Sequence, residues 1–405
     1  MRQGFGNIIK SVLFAFLLCA LTACGLGAGY RTAQEVAGAV SQAPKTAAPV
    51  SAPQAEKIKV GILLPLSGPH QALGQALFQS AQLALFDIGY ENVELVPRDV
   101  GSTPAQAVQA ANSAIDSGAQ LLLGPVFSPS VRAVKPVAER AGVNVISFTT
   151  DWTLAGGNVY VLGFTPFDQV ERITRYASAQ NLRNVSVFAP EDVYGRMVTG
   201  AFSTLAPRYG VTISAKGSFP AQGGDVAPYV ARFSTQAVSS SAVLLPAGGA
   251  QAVAVARQLR GQGLQAGTVR ILGTGLFDET TGESLLRGNP DLNGAWFPAP
   301  APALRRKFED RYTALYGVMP PRIATLAYDA TALAVVLARM GAEKGTGPAY
   351  DRSALMNPNG WSGIDGIFRF KPNGVAERGL AVLGFETGQI VLLEEAPKTF
   401  QTAVP

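Results

Sequence analysis

From Lys57 onward, short continuous apolar segments alternate with longer segments in which apolar residues recur at helical spacing. The first apolar segment, Lys57–Pro65, precedes Leu77, Ala81 and Leu85, which share one face of a helix. Strands that alternate with helices are typical of parallel sheets covered by helices on both faces. We therefore predict an α/β fold with two doubly wound, Rossmann-like lobes, parallel sheets and a cleft between the lobes. Further strands are predicted at 92–98, 120–124, 144–148, 159–163, 184–189, 211–217, 242–246, 269–273, 367–370, 380–385 and 389–393, the last three joined in a hairpin pattern by turns at Asn373-Gly374 and Thr387-Gly388. Helices are predicted at 74–89, 129–141, 167–180, 195–208, 225–238, 249–261, 302–316 and 321–341, and another helix opens at Thr103-Pro104.

Composition excludes several classes of protein. The chain has 405 residues, of which 47% are hydrophobic and 15% charged, so it is long and apolar enough for about two folded domains. His70 is its single histidine, and the two cysteines are Cys19 and Cys24. The sequence contains no catalytic triad motif, no P-loop and no block of Lys and Arg residues. We therefore predict a non-catalytic protein with no metal, no cofactor and no nucleic-acid partner.

The N-terminus has the pattern of a secretory signal. Arg2 and Lys10 precede an apolar run at 11–21 that rises about 16 Å as a helix, which is too short to span a bilayer. The following residues, Leu21–Cys24, resemble the lipobox of bacterial lipoproteins. That resemblance implies that residues 1–23 are a signal peptide and that Cys24 carries the lipid. An ordinary cleaved signal with an incidental cysteine is the alternative.

Residues 24–56 are rich in Ala, Pro, Ser and Gln, and we predict that they form a disordered tether behind the lipidated cysteine. Gly25 follows Cys24 at the position where lipoproteins retained in the inner membrane have an aspartate. The resemblance therefore implies anchoring in the outer membrane, facing the periplasm, while inner-membrane anchoring remains the alternative.

Four segments resemble type I periplasmic binding proteins of the leucine-binding kind. They lie at 60–76, 121–151, 187–202 and 363–390. The resemblance implies two lobes joined by three crossovers. By that pattern, lobe 1 comprises 57–164 and 292–340, lobe 2 comprises 165–291 and 341–396, and 397–405 is a tail.

Polar residues follow the predicted strands, where open parallel sheets bind ligands. Hydroxyl groups and backbone N–H groups dominate this set, which suits a small polar or anionic ligand. Simpler structural roles remain open: Ser67 in a turn, Ser128 and Ser130 as helix caps, and Tyr194 at the edge of the core. The candidate ligand-binding residues are Ser67, Ser128, Ser130, Thr149, Thr150, Asp151, Tyr194, Gly248 and Thr274.

The resemblance assigns roles to some of these candidates. Ser128 and the backbone near Thr149 would hold a carboxylate, and Tyr194 would cover the ligand from lobe 2. The family's acid for a ligand ammonium follows a Gly-x-Glu pattern, but here Thr274 and Gly275 follow Gly273. Asp278 is the next acid. The sequence therefore lacks the usual counter-charge for an amino acid, and a buried ammonium without one is costly.

Two functions fit these features. The lipobox, ILLPLSG at 62–68 and LLGPVFSPSV at 122–131 resemble the penicillin-binding protein activator branch of lipoproteins. That resemblance implies contact with a bifunctional peptidoglycan synthase and regulation of peptidoglycan synthesis. The alternative is a substrate-binding component of an ABC importer, which would dock on a permease and carry branched-chain or other amino acids or small polar solutes.

Overall fold

A computed structural model describes residues 57–222, 224–278, 285–347 and 350–400. The predicted signal peptide (1–23), Cys24, the predicted tether (24–56) and residues 401–405 of the predicted tail lie outside the described residues. None of the described helices combines the length and the apolar character that a membrane span requires.

Strands and helices alternate along most of the described chain, in agreement with the periodicity of the sequence. The strands are β1 (Ile58–Leu64), β2 (Val93–Asp99), β3 (Ala119–Leu123), β4 (Asn144–Ser147), β5 (Val159–Val161), β6 (Asn184–Pro190), β7 (Thr212–Phe219), β8 (Ala242–Leu244), β9 (Arg270–Leu272), β10 (Trp296–Ala299), β11 (Trp361–Gly363), β12 (Gly366–Phe370), β13 (Ala376–Arg378), β14 (Ala381–Glu386) and β15 (Gln389–Glu394). The helices are α1 (Gln71–Ile88), α2 (Pro104–Asp116), α3 (Ser128–Ala141), α4 (Pro166–Ala179), α5 (Val193–Leu205), α6 (Ala227–Gln236), α7 (Gly249–Gly261), α8 (Pro302–Tyr316), α9 (Ala324–Glu343) and α10 (Arg352–Leu355).

Lobe 1 is built on a parallel sheet with the strand order β2-β1-β3-β4-β5. Alternate residues of β1 enter opposite cores. Val60 and Ile62 pack in the same core as α1 and α9, whereas Leu63 packs in the same core as α2 and α3. Because both faces of the sheet are covered, the central strands are apolar throughout, which is why they are recognisable in the sequence.

Lobe 2 is built on a sheet with the strand order β15-β14-β10-β9-β8-β6-β7. The strands from β10 to β7 are parallel, and β14 and β15 are antiparallel additions at one edge. Helices α6 and α7 cover one face around Phe188 and Phe233, and α4 and α5 cover the other around Ile173 and Phe202. The predicted fold, α/β with two helix-covered lobes, is confirmed.

Two boundaries between the lobes differ from the sequence prediction. Residues 292–299 were assigned to lobe 1, but β10 lies between β9 and β14 in the sheet of lobe 2. Residues 341–378 were assigned to lobe 2, but Tyr350, Phe368 and Phe370 pack in the core of lobe 1. The predicted hairpin also differs, because the turn at Asn373 joins β12 to β13 and not to the strand at 381–386. Each correction depends on long-range pairing, which local patterns do not record.

Three segments of the described chain cross between the lobes. They lie at 162–165 between β5 and α4, at 300–301 between β10 and α8, and at 379–380 between β13 and β14. The three crossovers implied by the family resemblance are therefore present, and they bring residues from distant parts of the sequence to one end of the cleft.

A substitution at Gly163, in the first crossover, tests how closely the crossover packs against the end of β4. A Cβ atom at Gly163 would lie 2.0 Å from the carbonyl oxygen of Thr149. We expect Gly163→Ala to lower the free energy of unfolding by about 1–3 kcal/mol, measured by urea denaturation. Gly200→Ala in α5 is the control, because nothing lies within 4 Å of its added Cβ, and it should stabilise the helix by about 0.5–1 kcal/mol. Equal stability of Gly163→Ala and the parent chain would contradict the close approach.

Candidate ligand-binding site between the lobes

A cavity of about 320 Å³ lies between the lobes beside the three crossovers. Both lobes contribute to its wall. Its apolar lining residues are Phe164, Leu276, Pro298, Pro300, Ile323 and Leu380, and its polar ones are Thr150, Thr165, Asp168, Gln169, Tyr194, Asp278, Arg322 and Arg378. An apolar wall with a few placed polar groups is the usual composition of a small-molecule site.

Ser128 and Thr149 meet at the strand ends of lobe 1. Their hydroxyl oxygens are 2.9 Å apart, and Thr149 is almost fully buried. Ser128 does not cap α3 with its side chain, because Phe127 occupies the N-cap position. Ser130, two residues further along α3, is buried. None of these three side chains lines the cavity, although the adjacent Thr150 does.

Asp151 has partners of its own. Its carboxylate accepts hydrogen bonds from the backbone N–H of Thr153 at 3.1 Å and from the hydroxyl of the same residue at 2.5 Å. Arg132 lies 3.7 Å from the other carboxylate oxygen. Asp151 therefore stabilises a short turn after β4 and does not line the cavity.

Ser67 and Gly248 also lie outside the cavity wall. Ser67 is exposed and follows β1. Burial opposes ionisation of Asp99, but hydrogen bonds from the Ser67 hydroxyl and from the N–H groups of Gly101 and Leu66 outweigh it and lower the pKa of Asp99. Gly248 precedes α7, and a Cβ there would lie 3.2 Å from Leu276, so the absence of a side chain at Gly248 leaves room for this residue of the cavity wall.

Tyr194 and Thr274 are brought together in lobe 2. The Tyr194 hydroxyl donates to the Thr274 hydroxyl oxygen at 2.9 Å, and Gln169 Oε1 lies 3.4 Å away. Gln169 Oε1 also accepts from the N–H of Gly275 at 2.7 Å. Burial raises the pKa of Tyr194 to about 12, so the group is neutral at physiological pH. Tyr194 lines the cavity, and the fully buried Thr274 holds it in place.

Sequence reasoning did not identify an ion pair that joins the lobes at the cavity. Asp278 follows β9 in lobe 2, and Arg305 on α8 in lobe 1 binds both of its carboxylate oxygens. Arg322 Nε, also from lobe 1, lies 3.8 Å from the same carboxylate. The side chains of Asp278 and Arg305 are 3% and 5% exposed. Asp278 is therefore already neutralised and is a poor counter-charge for a ligand ammonium.

A second ion pair joins the lobes through Asp168 and Lys371. Asp168 lies in the first turn of α4, and Lys371 Nζ is 3.3 Å from its carboxylate. Burial of the carboxyl group outweighs the attraction of Lys371 and raises the pKa of Asp168 to about 6. Asp168 is therefore mainly ionised at pH 7, and its protonated fraction rises as the pH falls towards 6.

Two arginines contact Phe164 in the first crossover. The guanidinium carbons of Arg322 and Arg378 lie 4.3 and 4.8 Å from its ring centroid. Arg322 makes a bidentate pair with Asp365 at 3.0 and 3.1 Å. Arg378 Nη2 donates to the carbonyl oxygen of Leu162 at 2.9 Å. These charged residues are widely spaced in the sequence and follow no motif, so no local signal indicates that they meet.

The fold and the cleft agree with a family match: residues 57–389 match the family model described as periplasmic binding protein. The chain therefore belongs to the periplasmic binding protein family. The predicted resemblance to leucine-binding proteins is thereby confirmed, and an extracytoplasmic location follows from family membership.

Individual relatives are distant. The Leu/Ile/Val-binding protein BraC3 of Rhizobium johnstonii is 27% identical over 166 residues, which are 38% of this chain and 45% of that protein. The penicillin-binding protein activator LpoA of Pasteurella multocida is 26% identical over 154 residues, 37% of this chain and 26% of that protein. The chain thus spans about half the length, or less, of these curated relatives.

Solved structures agree with the fold. A Rhodospirillum rubrum protein, described provisionally as a branched-chain amino acid ABC transporter, superposes with a TM-score of 0.72 at 20% identity. The superposition covers 83% of this chain and 100% of that one. At this identity the likeness shows the fold alone.

Proposed function

We propose that this protein is the substrate-binding component of an ABC importer and captures a small, partly apolar solute between its lobes. The cavity beside the crossovers carries this proposal, because both lobes line it and its volume of about 320 Å³ suits a small molecule. Tyr194 and Gln169 from lobe 2 face Thr150 and Ile323 from lobe 1 across this space. No step of bond making is required of these residues, so the proposed role is non-catalytic.

Calorimetric titration of the purified chain with the twenty amino acids, short peptides, simple sugars, carboxylic acids and muropeptides tests solute capture. We expect one class of solute to bind with a micromolar Kd, which corresponds to about −8 kcal/mol. Leu276→Trp should weaken that binding at least tenfold, because Leu276 is a partly exposed side chain in the cavity wall.

Leu315→Trp is the matched control. Leu315 is an exposed leucine on α8 and does not line the cavity, so its replacement should leave the affinity unchanged. Silence from every solute, or equal affinities of both tryptophan variants, would count against capture in this cavity.

Activation of a penicillin-binding protein is the second candidate. Two observations favour it. The chain is similar to the activator of Pasteurella multocida. In addition, Asp151 already faces Arg132 and Asp278 already binds Arg305, so neither acid is left as a counter-charge for the ammonium group of an amino acid. In this proposal the chain is a lipoprotein attached through Cys24 to the periplasmic side of the outer membrane and contacts a bifunctional peptidoglycan synthase. Inner-membrane attachment beside a permease belongs to the importer proposal.

A synthase assay separates the two candidates. For an activator, adding the purified chain should stimulate cross-linking by the synthase, and a variant with both Ser128→Ala and Tyr194→Phe should stimulate equally, since the outer surfaces of the lobes make the contact. Loss of stimulation in that variant would indicate that the cleft takes part. Absence of stimulation by the parent chain would leave solute capture as the better account.

A further inference from the structure

Four charged side chains line the cavity in the described part of the chain, and each has an oppositely charged neighbour within the protein. The two acids are Asp168, which lies 3.3 Å from Lys371 Nζ, and Asp278, which binds Arg305 through both carboxylate oxygens. The side chains of Asp278 and Arg305 are almost fully buried, so this pair is closed to water. Neither acid is left to neutralise a ligand cation.

The two arginines in the wall are compensated by buried acids behind them. Arg322 makes a bidentate pair with Asp365, at 3.0 and 3.1 Å. Burial opposes ionisation of Asp365, but the attraction of Arg322 and Arg378 outweighs it and lowers the pKa of Asp365, so this carboxylate is charged at neutral pH. Asp329 lies 3.8 Å from Nη1 of Arg378 and adds to the compensation. Neither guanidinium is left to neutralise a ligand anion.

A charged head group would therefore lose its hydration in the cavity without gaining a free counter-charge, which is costly. The apolar part of the wall includes Phe164, Leu276 and Ile323, which pack against an apolar body but do not solvate an ion. Asp168 also stands in the first turn of α4, so its own carboxylate occupies the end of the helix that attracts anions. An uncharged solute avoids this cost.

The side-chain amide of Gln169 offers a hydrogen bond to such a solute. Its Oε1 accepts from the backbone N–H of Gly275 at 2.7 Å. Because that N–H can only donate, the amide oxygen must face it, and the amide nitrogen points elsewhere. Nε2 retains accessible surface and has no hydrogen-bond partner in the described part of the chain. Since Gln169 lines the cavity, Nε2 is a neutral donor for a ligand oxygen.

We propose that the cavity selects an uncharged solute with a compact apolar body and a carbonyl group. The apolar body packs against Phe164, Leu276 and Ile323, and the carbonyl oxygen accepts from Nε2 of Gln169. This assignment rests on the proposed solute-binding function and names its substrate class.

Four probes with the same branched carbon chain and planar head groups of matched size test the assignment by calorimetry on the purified chain at pH 7. Two are neutral, 4-methylpentanamide and 5-methylhexan-2-one, whereas 4-methylpentanoate is an anion and 4-methylpentanamidine is a cation. We expect the neutral probes to bind and each charged probe to bind at least tenfold more weakly. Binding of either charged probe as tightly as the amide would overturn the assignment.

Gln169→Glu keeps an acceptor for the N–H of Gly275 but replaces the amide donor with a carboxylate oxygen. At pH 8, which keeps the new side chain ionised, we expect it to weaken the binding of both neutral probes at least fivefold, because their carbonyl oxygens then face an anion. Gln180→Glu is the matched control, because Gln180 is the exposed C-cap of the same helix and does not line the cavity. Equal affinities of the two glutamate variants, both shown to be folded by urea denaturation, would overturn the role of Gln169.

The wider solute panel separates this inference from the proposed function. If a member of that panel binds more tightly than the neutral probes and Leu276→Trp abolishes its binding, solute capture stands and the assignment to an uncharged carbonyl compound fails. If no member of either panel binds, solute capture itself fails.

Discussion

Replacing Asp278 with asparagine is expected to lower the free energy of unfolding by about 3 kcal/mol, because it leaves the Arg305 guanidinium buried without its main counter-charge. Asp278 and Arg305 are 3% and 5% exposed, so water cannot replace the lost carboxylate. In the variant, Glu309, 3.5 Å from Arg305 Nε, still compensates part of the arginine's charge. The loss of stability is therefore expected at the lower end of the range for broken buried pairs. Urea denaturation at pH 7 measures the change.

A control and a double variant show whether the loss comes from the pair. Glu343→Gln breaks the exposed pair with Arg339 on α9 and should cost less than about 1 kcal/mol. Combining Asp278→Asn with Arg305→Met removes both charges, so the double variant should be more stable than the sum of the single effects implies. Additive losses would mean that the two side chains contribute independently, contrary to the contact between them.

The position of this pair connects stability with the cavity. Asp278 comes from lobe 2 and its two arginines come from lobe 1, while Asp168 of lobe 2 pairs with Lys371 of lobe 1. Both ion pairs therefore join the lobes beside the cavity. A change in the relative position of the lobes would have to break or re-form buried charge contacts, so the charges near the cavity also define the lobe arrangement.

The alternation of strands and helices in the lobes could be predicted because each strand or helix carries its own local sequence signal. In β1, residues on both faces are apolar, since Val60 and Leu63 enter different cores. The N-cap at Thr103 likewise marks the start of α2 through a capping box with Gln106. Strand β10 was not predicted, and its residues Trp296–Ala299 were expected in lobe 1, because the sheet in which they pair depends on partners elsewhere in the chain.

The chemistry of the cleft could be predicted only in part. Tyr194 and Thr150 follow strands, and the rule about strand ends placed both at the cavity. The same rule also selected Ser67, Ser130 and Asp151, which lie outside its wall. Arg378 precedes a crossover and follows no strand end of either main sheet, so the rule had no reason to select it.

Asparagine in place of Asp168 is expected to make the protein more stable at pH 7 and to leave its stability nearly unchanged at pH 4. Burial raises the pKa of Asp168 from its ordinary value of 3.8 to about 6 in the folded chain, although Lys371 opposes the shift. Between these values the folded protein holds a proton that the unfolded chain releases, so stability falls as pH rises, by about 1.4 kcal/mol per pH unit. Removing this titration should stabilise the chain at pH 7 by an amount on the order of 3 kcal/mol.

Urea denaturation of the parent chain and of Asp168→Asn at pH 4, 5, 6 and 7 tests this expectation. The unfolding free energy of the variant should depend less on pH between 4 and 6 than that of the parent, although the raised pKa of Asp329, about 7, leaves a slope in both proteins within this window and above it. Asp310→Asn, at an exposed position on α8, should preserve the parent's profile. A variant that is less stable than the parent at pH 7 would show that the attraction between Asp168 and Lys371, 3.3 Å apart, outweighs the cost of burying the carboxylate. The interlobe pair would then stabilise the lobe arrangement most strongly at neutral pH, the opposite of the sign derived from burial.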